Sequence, residues 1–108
     1  MVSGPADRRF DRGSVLAAIG SFLVSLALAV PTLLRGVSFW DTAELQTVGP
    51  LLGTAHPTGF PTWVILGWVA SVLFQPFGEP AFRMNLLNAV CLAAAAGLTA
   101  ILVHRLTG

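Results

Sequence analysis

The chain has 108 residues, of which 55% are hydrophobic and 10% charged, with a formal net charge of +1 and a mean hydropathy of +0.77. A soluble domain carries roughly 25% charged residues, so a water-soluble monomer is excluded, and so is a disordered chain, which needs the opposite composition. The near-neutral charge leaves no footprint for nucleic acid as a partner, and the lone Cys91 has no mate for an internal disulfide. Arg-, Ala- and Gly-rich usage without Lys or Tyr fits a G+C-rich bacterial genome.

The first apolar segment, residues 14–34, lies uncharged between Arg12 and Arg35. About 20 residues of helix cross a hydrocarbon core of roughly 30 Å, so a first span is expected here. A cleavable signal peptide is the rival reading, because Arg8-Arg9 precede the run and Ala27-Leu28-Ala29 resembles a cleavage site. The run exceeds the usual h-region of about 7 to 15 residues, and a retained span is therefore expected. Residues 35–60 form a polar loop containing a short helix. A second span is expected over residues 61–77, after the turn-forming string His56-Pro57-Thr58-Gly59-Phe60-Pro61, and a third over residues 84–103. The fold class is all-α, a polytopic helical membrane protein of about three transmembrane helices in a single module.

Arginines are enriched on cytoplasmic flanks. Arg8, Arg9, Arg12 and Arg83 against Arg35 and Arg105 orient the N-terminus inward, in what the composition makes a bacterial inner membrane. Three crossings then place the 35–60 loop and the C-terminus outside, and Glu79 inside. Ala17, Ser21, Ser25 and Ala29, and likewise Ala89, Ala93 and Gly97, recur every four residues, a spacing that lets helix backbones approach closely.

Chemistry concentrates in the loop. Asp41 followed three residues later by Glu44 reads as a capping box, Asp41 at the N-cap and Glu44 reaching back from N3. It also reads as two carboxylates on one helix face, with Phe39, Trp40 and Leu45 raising a carboxyl pKa by desolvation toward that of a working base. Both readings stay open on spacing alone. His56 shares that side of the membrane. A metal site would need more ligands than the chain plainly offers, so no cofactor is assigned and a divalent metal remains open. Gly59 suits a turn conformation that other residues resist, and Pro61 a first helical turn. Arg83 reads as a charge anchor or as a phosphate contact, and Asn85 and Asn88 as bonds to neighbouring helices. No phosphate loop, nucleophile elbow or paired-Cys motif is present.

The strings Asp41-Thr42-Ala43-Glu44, His56-Pro57-Thr58-Gly59-Phe60-Pro61 and Phe82-Arg83-Met84-Asn85-Leu86-Leu87, in that order, resemble the start of a multi-span membrane family related to the protein O-mannosyltransferases of the GT-C fold. The resemblance implies a glycosyltransferase that draws its sugar from a polyprenyl-phosphate carrier. It implies Asp41 and Glu44 as the catalytic carboxylates, His56 as a contact for the carrier phosphate or acceptor, and membrane lipid and the remaining helices of a larger parent as partners. Enzymes of this type have many more spans, so the chain is expected to be an N-terminal piece, inactive alone. Two other classes fit the same residues: a small non-enzymatic membrane protein assembling with a larger partner through its small-residue stripes, and a transporter fragment whose His-Pro break lines a substrate path.

Overall fold

The computed structural model describes residues 10–107, which form four α-helices and two short 3-10 turns, with no strand among the described residues. The helices are α1 (Arg12–Ala29), α2 (Trp40–Leu51), α3 (Pro61–Leu73) and α4 (Pro80–Thr107). Arg8 and Arg9, which entered the expected orientation, lie outside the described residues. The chain divides into two compact units, one of residues 10–29 with 90–107 and one of residues 30–89.

In the first unit, α1 begins where Asp11 accepts the Ser14 N–H at 2.9 Å and the Ser14 hydroxyl donates back to the Asp11 carbonyl at 3.0 Å. That capping satisfies N-terminal groups a helix otherwise leaves open, and the Ser14 N–H first of all holds the Asp11 carboxyl below its ordinary value. The helix ends in a 3-10 turn, Val30–Thr32, where Pro31 cannot continue the backbone ladder. α1 and the second half of α4 run antiparallel. Asp11 faces His104 at 3.8 Å, and the Arg105 guanidinium lies 4.6 Å over the Phe10 ring. Further along, a Cβ on Gly97 would stand 3.0 Å from the Ala18 carbonyl oxygen and 3.6 Å from Phe22 Cβ. The expected small-residue stripe of α4 thus brings the two backbones together at Gly97, but against Ala18 and Phe22 and not against the stripe expected on α1. Ala93 and Gly97 are buried, whereas Ala17 is exposed and Ala18 holds the inner position on α1.

In the second unit, α2 and α3 form a pair that crosses where both backbones are bare. A Cβ on Gly67 would come within 2.9 Å of the Gly49 Cα and 2.5 Å of Met84 Cε. Met84, fully buried, plugs the crossing from α4, and burying a side chain of this kind contributes about 1.5–3 kcal/mol. Val48, Ala55 and Val64 make the core, with Leu45 and Trp63 against it. A polar network ties the loop before α2 to this core. Gln46 accepts the Ser38 N–H at 2.9 Å and donates to Asn85 at 2.8 Å, and Asn85 donates to the Leu34 carbonyl at 2.8 Å. Gln46 and Asn85 are buried, and leaving such groups unpaired would cost about 1–3 kcal/mol each.

Helix α3 stops at Leu73 and is followed by a 3-10 turn, Gln75–Phe77, because Pro76 has no N–H to extend the ladder. The apolar segment expected over residues 61–77 is therefore divided. Its helix is about 20 Å long at 1.5 Å per residue, short of the roughly 30 Å of a hydrocarbon core. Two helical stretches are long and apolar enough to cross a membrane, Arg12–Thr32 and Pro80–Thr107.

Candidate functional site

The loop helix α2 forms, but it is not capped as its sequence suggests. Phe39, extended at φ −118° and ψ 158°, occupies the N-cap, and no side chain caps the helix there. Asp41 lies one residue inside the first helical position, so the expected capping box is absent. The observed cap lies two residues before the expected one, which carries Glu44 beyond N3, and Glu44 is engaged elsewhere.

Its carboxylate meets His56, twelve residues on. One oxygen accepts the His56 backbone N–H at 2.7 Å, and the other lies 2.6 Å from Nδ1 of the ring. The turn beyond closes with the Gly59 N–H donating to the His56 carbonyl at 2.7 Å. Gly59 takes φ 83°, as expected of glycine there, and Pro61 opens α3. Phe60, left-handed at φ 47°, sets its ring edge-on to His56 at 5.3 Å. Trp40, beside Asp41, is also left-handed at φ 55°. Such backbone costs a residue other than glycine roughly 1–2 kcal/mol, and strain of this kind concentrates at functional sites.

The ring hydrogen bond from Glu44 raises the His56 pKa above its ordinary 6.5, with the charges of Glu44 and Asp41 adding to it. Reciprocally, the bonds from His56 lower Glu44 below 4.5. This reverses the expectation that Phe39, Trp40 and Leu45 would desolvate and raise a carboxyl in the pair. Phe39 and Trp40 are 83% and 93% exposed, and Leu45 packs on the core instead. Among the described residues the Asp41 carboxylate makes no hydrogen bond or ion pair.

Asp41, Glu44 and His56 thus converge, each offering one donor atom within 4.8 Å of the others. Oxygen and nitrogen donors of this kind suit a divalent cation. Arg83 does not join the cluster. Its Nε donates to the Gly78 carbonyl at 2.7 Å and its Nη1 to the Ser71 carbonyl at 2.9 Å, strapping the end of α3 to the start of α4.

Thr42, Gln46 and Trp63, which the spacing did not bring forward, line a cleft of about 320 Å³ together with Asn85 and Asn88, between α2, the entry to α3 and α4. Trp63, within it, donates its indole N–H to the Leu45 carbonyl at 2.9 Å and holds the two helices in register. Thr42 and Leu45, each next to a cluster carboxylate, lie on its wall. Their position one residue beyond Asp41 and Glu44 was the available signal.

Residues 41–108 match the family described as Protein O-mannosyl-transferase TMEM260 N-terminal domain. The chain belongs to this family. A mouse protein, Protein O-mannosyl-transferase TMEM260, is 38% identical over 96 residues, covering 89% of the chain and 14% of the mouse protein. The chain therefore spans about one seventh of that relative's length. No solved structure matches it. The match to the TMEM260 N-terminal domain begins at Asp41 and takes in Glu44, His56 and Arg83.

Proposed function

We propose that the chain is the N-terminal module of an integral membrane glycosyltransferase of the GT-C type, using a polyprenyl-phosphate-linked sugar, with the full activity residing in a longer protein. The observation that carries this reading is the convergence of Asp41 with the Glu44–His56 pair. A hydroxyl attacking an anomeric carbon must lose its proton as the new C–O bond forms, and the bond to phosphate breaks with its electron pair leaving on the phosphate oxygen. Asp41, the carboxylate without a partner among the described residues, takes that proton. Glu44 accepts from Nδ1 of His56 and favours its protonated form, in which the other ring nitrogen also carries a proton to donate to the departing phosphate. The mouse relative's name supports glycosyl transfer to a protein hydroxyl.

The small-residue stripes that favoured a small assembling protein have a use inside the chain, since Gly97 packs on Ala18. The His-Pro turn that favoured a transporter path holds the Glu44 contact.

The antiparallel run of α1 and α4 supports two crossings in place of three. Both ends then lie on one face, and residues between the crossings emerge on the other. An inward N-terminus places Arg8, Arg9, Arg12 and Arg105 in the cytoplasm and Arg35 and Arg83 outside. Exposed Phe39 and Trp40 fit the aromatic belt of the outer interface.

The test is Asp41→Asn in a protein carrying this chain with the further length its relatives have. A general base contributes about 100- to 10,000-fold in rate, and that loss is expected while the protein stays folded. A loss below threefold removes Asp41 from the chemistry.

A further inference from the structure

The outward face of α2 carries little that binds water. Positions 40, 44, 47 and 51 fall on one stripe of the helix, turned away from the buried Gln46, Val48 and Gly49. Trp40 and Leu51, at the two ends of the stripe, are 93% and 72% exposed. Between them each polar side chain already has a partner. The Thr47 hydroxyl donates to the Ala43 carbonyl at 2.7 Å, and both oxygens of Glu44 are met by His56. Such a stripe forfeits no side-chain hydrogen bond on leaving water, and removing its two large apolar side chains from water is favourable.

What covers the stripe follows from where α2 meets α4. The 28 residues of α4 extend about 42 Å at 1.5 Å per residue and exceed a hydrocarbon core of roughly 30 Å by about 6 Å at each end. α2 joins this helix close to its start: Gln46 donates to Asn85 at 2.8 Å, and the bare backbone of Gly49 lies against Met84. Met84 and Asn85 are four and five residues beyond Pro80, about 6 to 8 Å along the helix, where headgroups give way to acyl chains. Amphipathic helices bury an apolar face at that boundary, and tryptophan is enriched there. We propose that α2 is an interfacial helix whose stripe from Trp40 to Leu51 rests on the lipid surface. The proposal rests on α4 crossing the bilayer. Under the glycosyltransferase reading it also sets a depth for the chemistry: Asp41, next to Trp40, and Glu44, on the stripe, stand at the level of the headgroups, where the phosphate of a lipid-linked sugar is found.

Spin-label EPR on the chain in palmitoyl-oleoyl-phosphatidylcholine vesicles tests this. In a Cys91→Ser background, nitroxides are attached at Trp40→Cys and Leu51→Cys on the stripe, at Thr42→Cys on the far side of the same helix, and at Leu92→Cys, exposed near the middle of α4. Far-UV circular dichroism in detergent micelles checks before reconstitution that each variant keeps its helices. Should one stripe variant misfold, the other carries the measurement. Oxygen concentrates in lipid and a neutral nickel chelate in water, so the ratio of their collision rates with the nitroxide reads its depth. The ratio is expected to be severalfold higher at positions 40 and 51 than at position 42, and highest at position 92. Equal ratios at positions 40, 51 and 42 put the stripe in water and overturn the proposal. Little access to either reagent on the stripe makes it a contact between copies of the chain and overturns it as well. Chelate access at position 92 removes the crossing of α4 and the proposal with it, whereas oxygen preference there with chelate access on the stripe removes the proposal alone. None of these measurements uses catalytic activity. A failed catalytic reading, with Asp41→Asn fully active in the longer protein, and a failed lipid contact are therefore distinguishable.

Discussion

Both oxygens of the Glu44 carboxylate are committed to one residue, His56, through its backbone and its ring. The pH behaviour follows from the directions of the two shifts. His56 is raised, so its share of the pairing is complete below its ordinary 6.5 and is lost as pH climbs through the elevated folded value. Glu44 is lowered, so its share is present above 4.5 and is lost as pH falls through the depressed folded value. The pair is therefore fully formed between 4.5 and 6.5 and loosens on either side. Proton NMR of the His56 ring should show an inflection above 6.5, which moves downward in Glu44→Gln, because an amide can still accept the backbone N–H but no longer carries the charge facing Nδ1. An unchanged inflection in that variant would detach Glu44 from the ring. Glu44→Gln should also slow transfer in the longer protein, a loss that a helix cap would not produce, since Gln serves equally well at a capping-box N3.

At the scale of helices, the two glycines of the α2–α3 crossing leave no room for a side chain. A methyl at Gly67 would meet the Gly49 backbone at 2.9 Å as well as Met84, and overpacking of this sort costs about 1–3 kcal/mol. Gly20, on α1, has nothing within 4 Å of an added Cβ. Alanine there should be neutral or gain up to about 1 kcal/mol of helix propensity. Thermal or denaturant unfolding of Gly67→Ala against Gly20→Ala in the same micelles reads this contrast, and equal stability of the two would deny the close crossing. Neither glycine is marked by local sequence, since the crossing is made by residues 18 positions apart. Helix starts are legible in part. Pro61 opens α3 as expected, and α1 opens at Arg12, beside the uncharged stretch, whereas α4 opens at Pro80, four residues before the span expected from residue 84. Of the candidate residues, Asp41, Glu44 and His56 come together while Arg83 stands apart, and their bonding was not legible. Asp41 and Glu44 have the spacing of a cap, and only the return of the chain at His56 gives Glu44 a different partner. Gln46 was silent for the same reason, because its buried role depends on Asn85, 39 residues away.

For the whole chain, the decisive quantity is the number of crossings, because it determines which face each charged loop meets. Counting apolar segments gives three, since residues 61–77 contain no charge. The backbone counts differently: α3 has 13 residues, and the α1 start and α4 end share one end of an antiparallel pair, joined by Arg105 over Phe10 and by His104 beside Asp11. Three crossings would make α1 and α4 parallel and separate those residues by the thickness of the bilayer. The two topologies agree on Thr42 and disagree on Glu79 and Leu106. In intact cells carrying a Cys91→Ser background, a membrane-impermeant maleimide should modify both Thr42→Cys and Glu79→Cys, and should reach Leu106→Cys only after the membrane is opened. Three crossings would give the reverse at the last two positions, with Glu79→Cys protected and Leu106→Cys labelled. Protection of Thr42→Cys together with labelling of Leu106→Cys would instead invert the whole chain, placing the Asp41–Glu44–His56 cluster in the cytoplasm and removing the orientation on which the proposed donor chemistry relies.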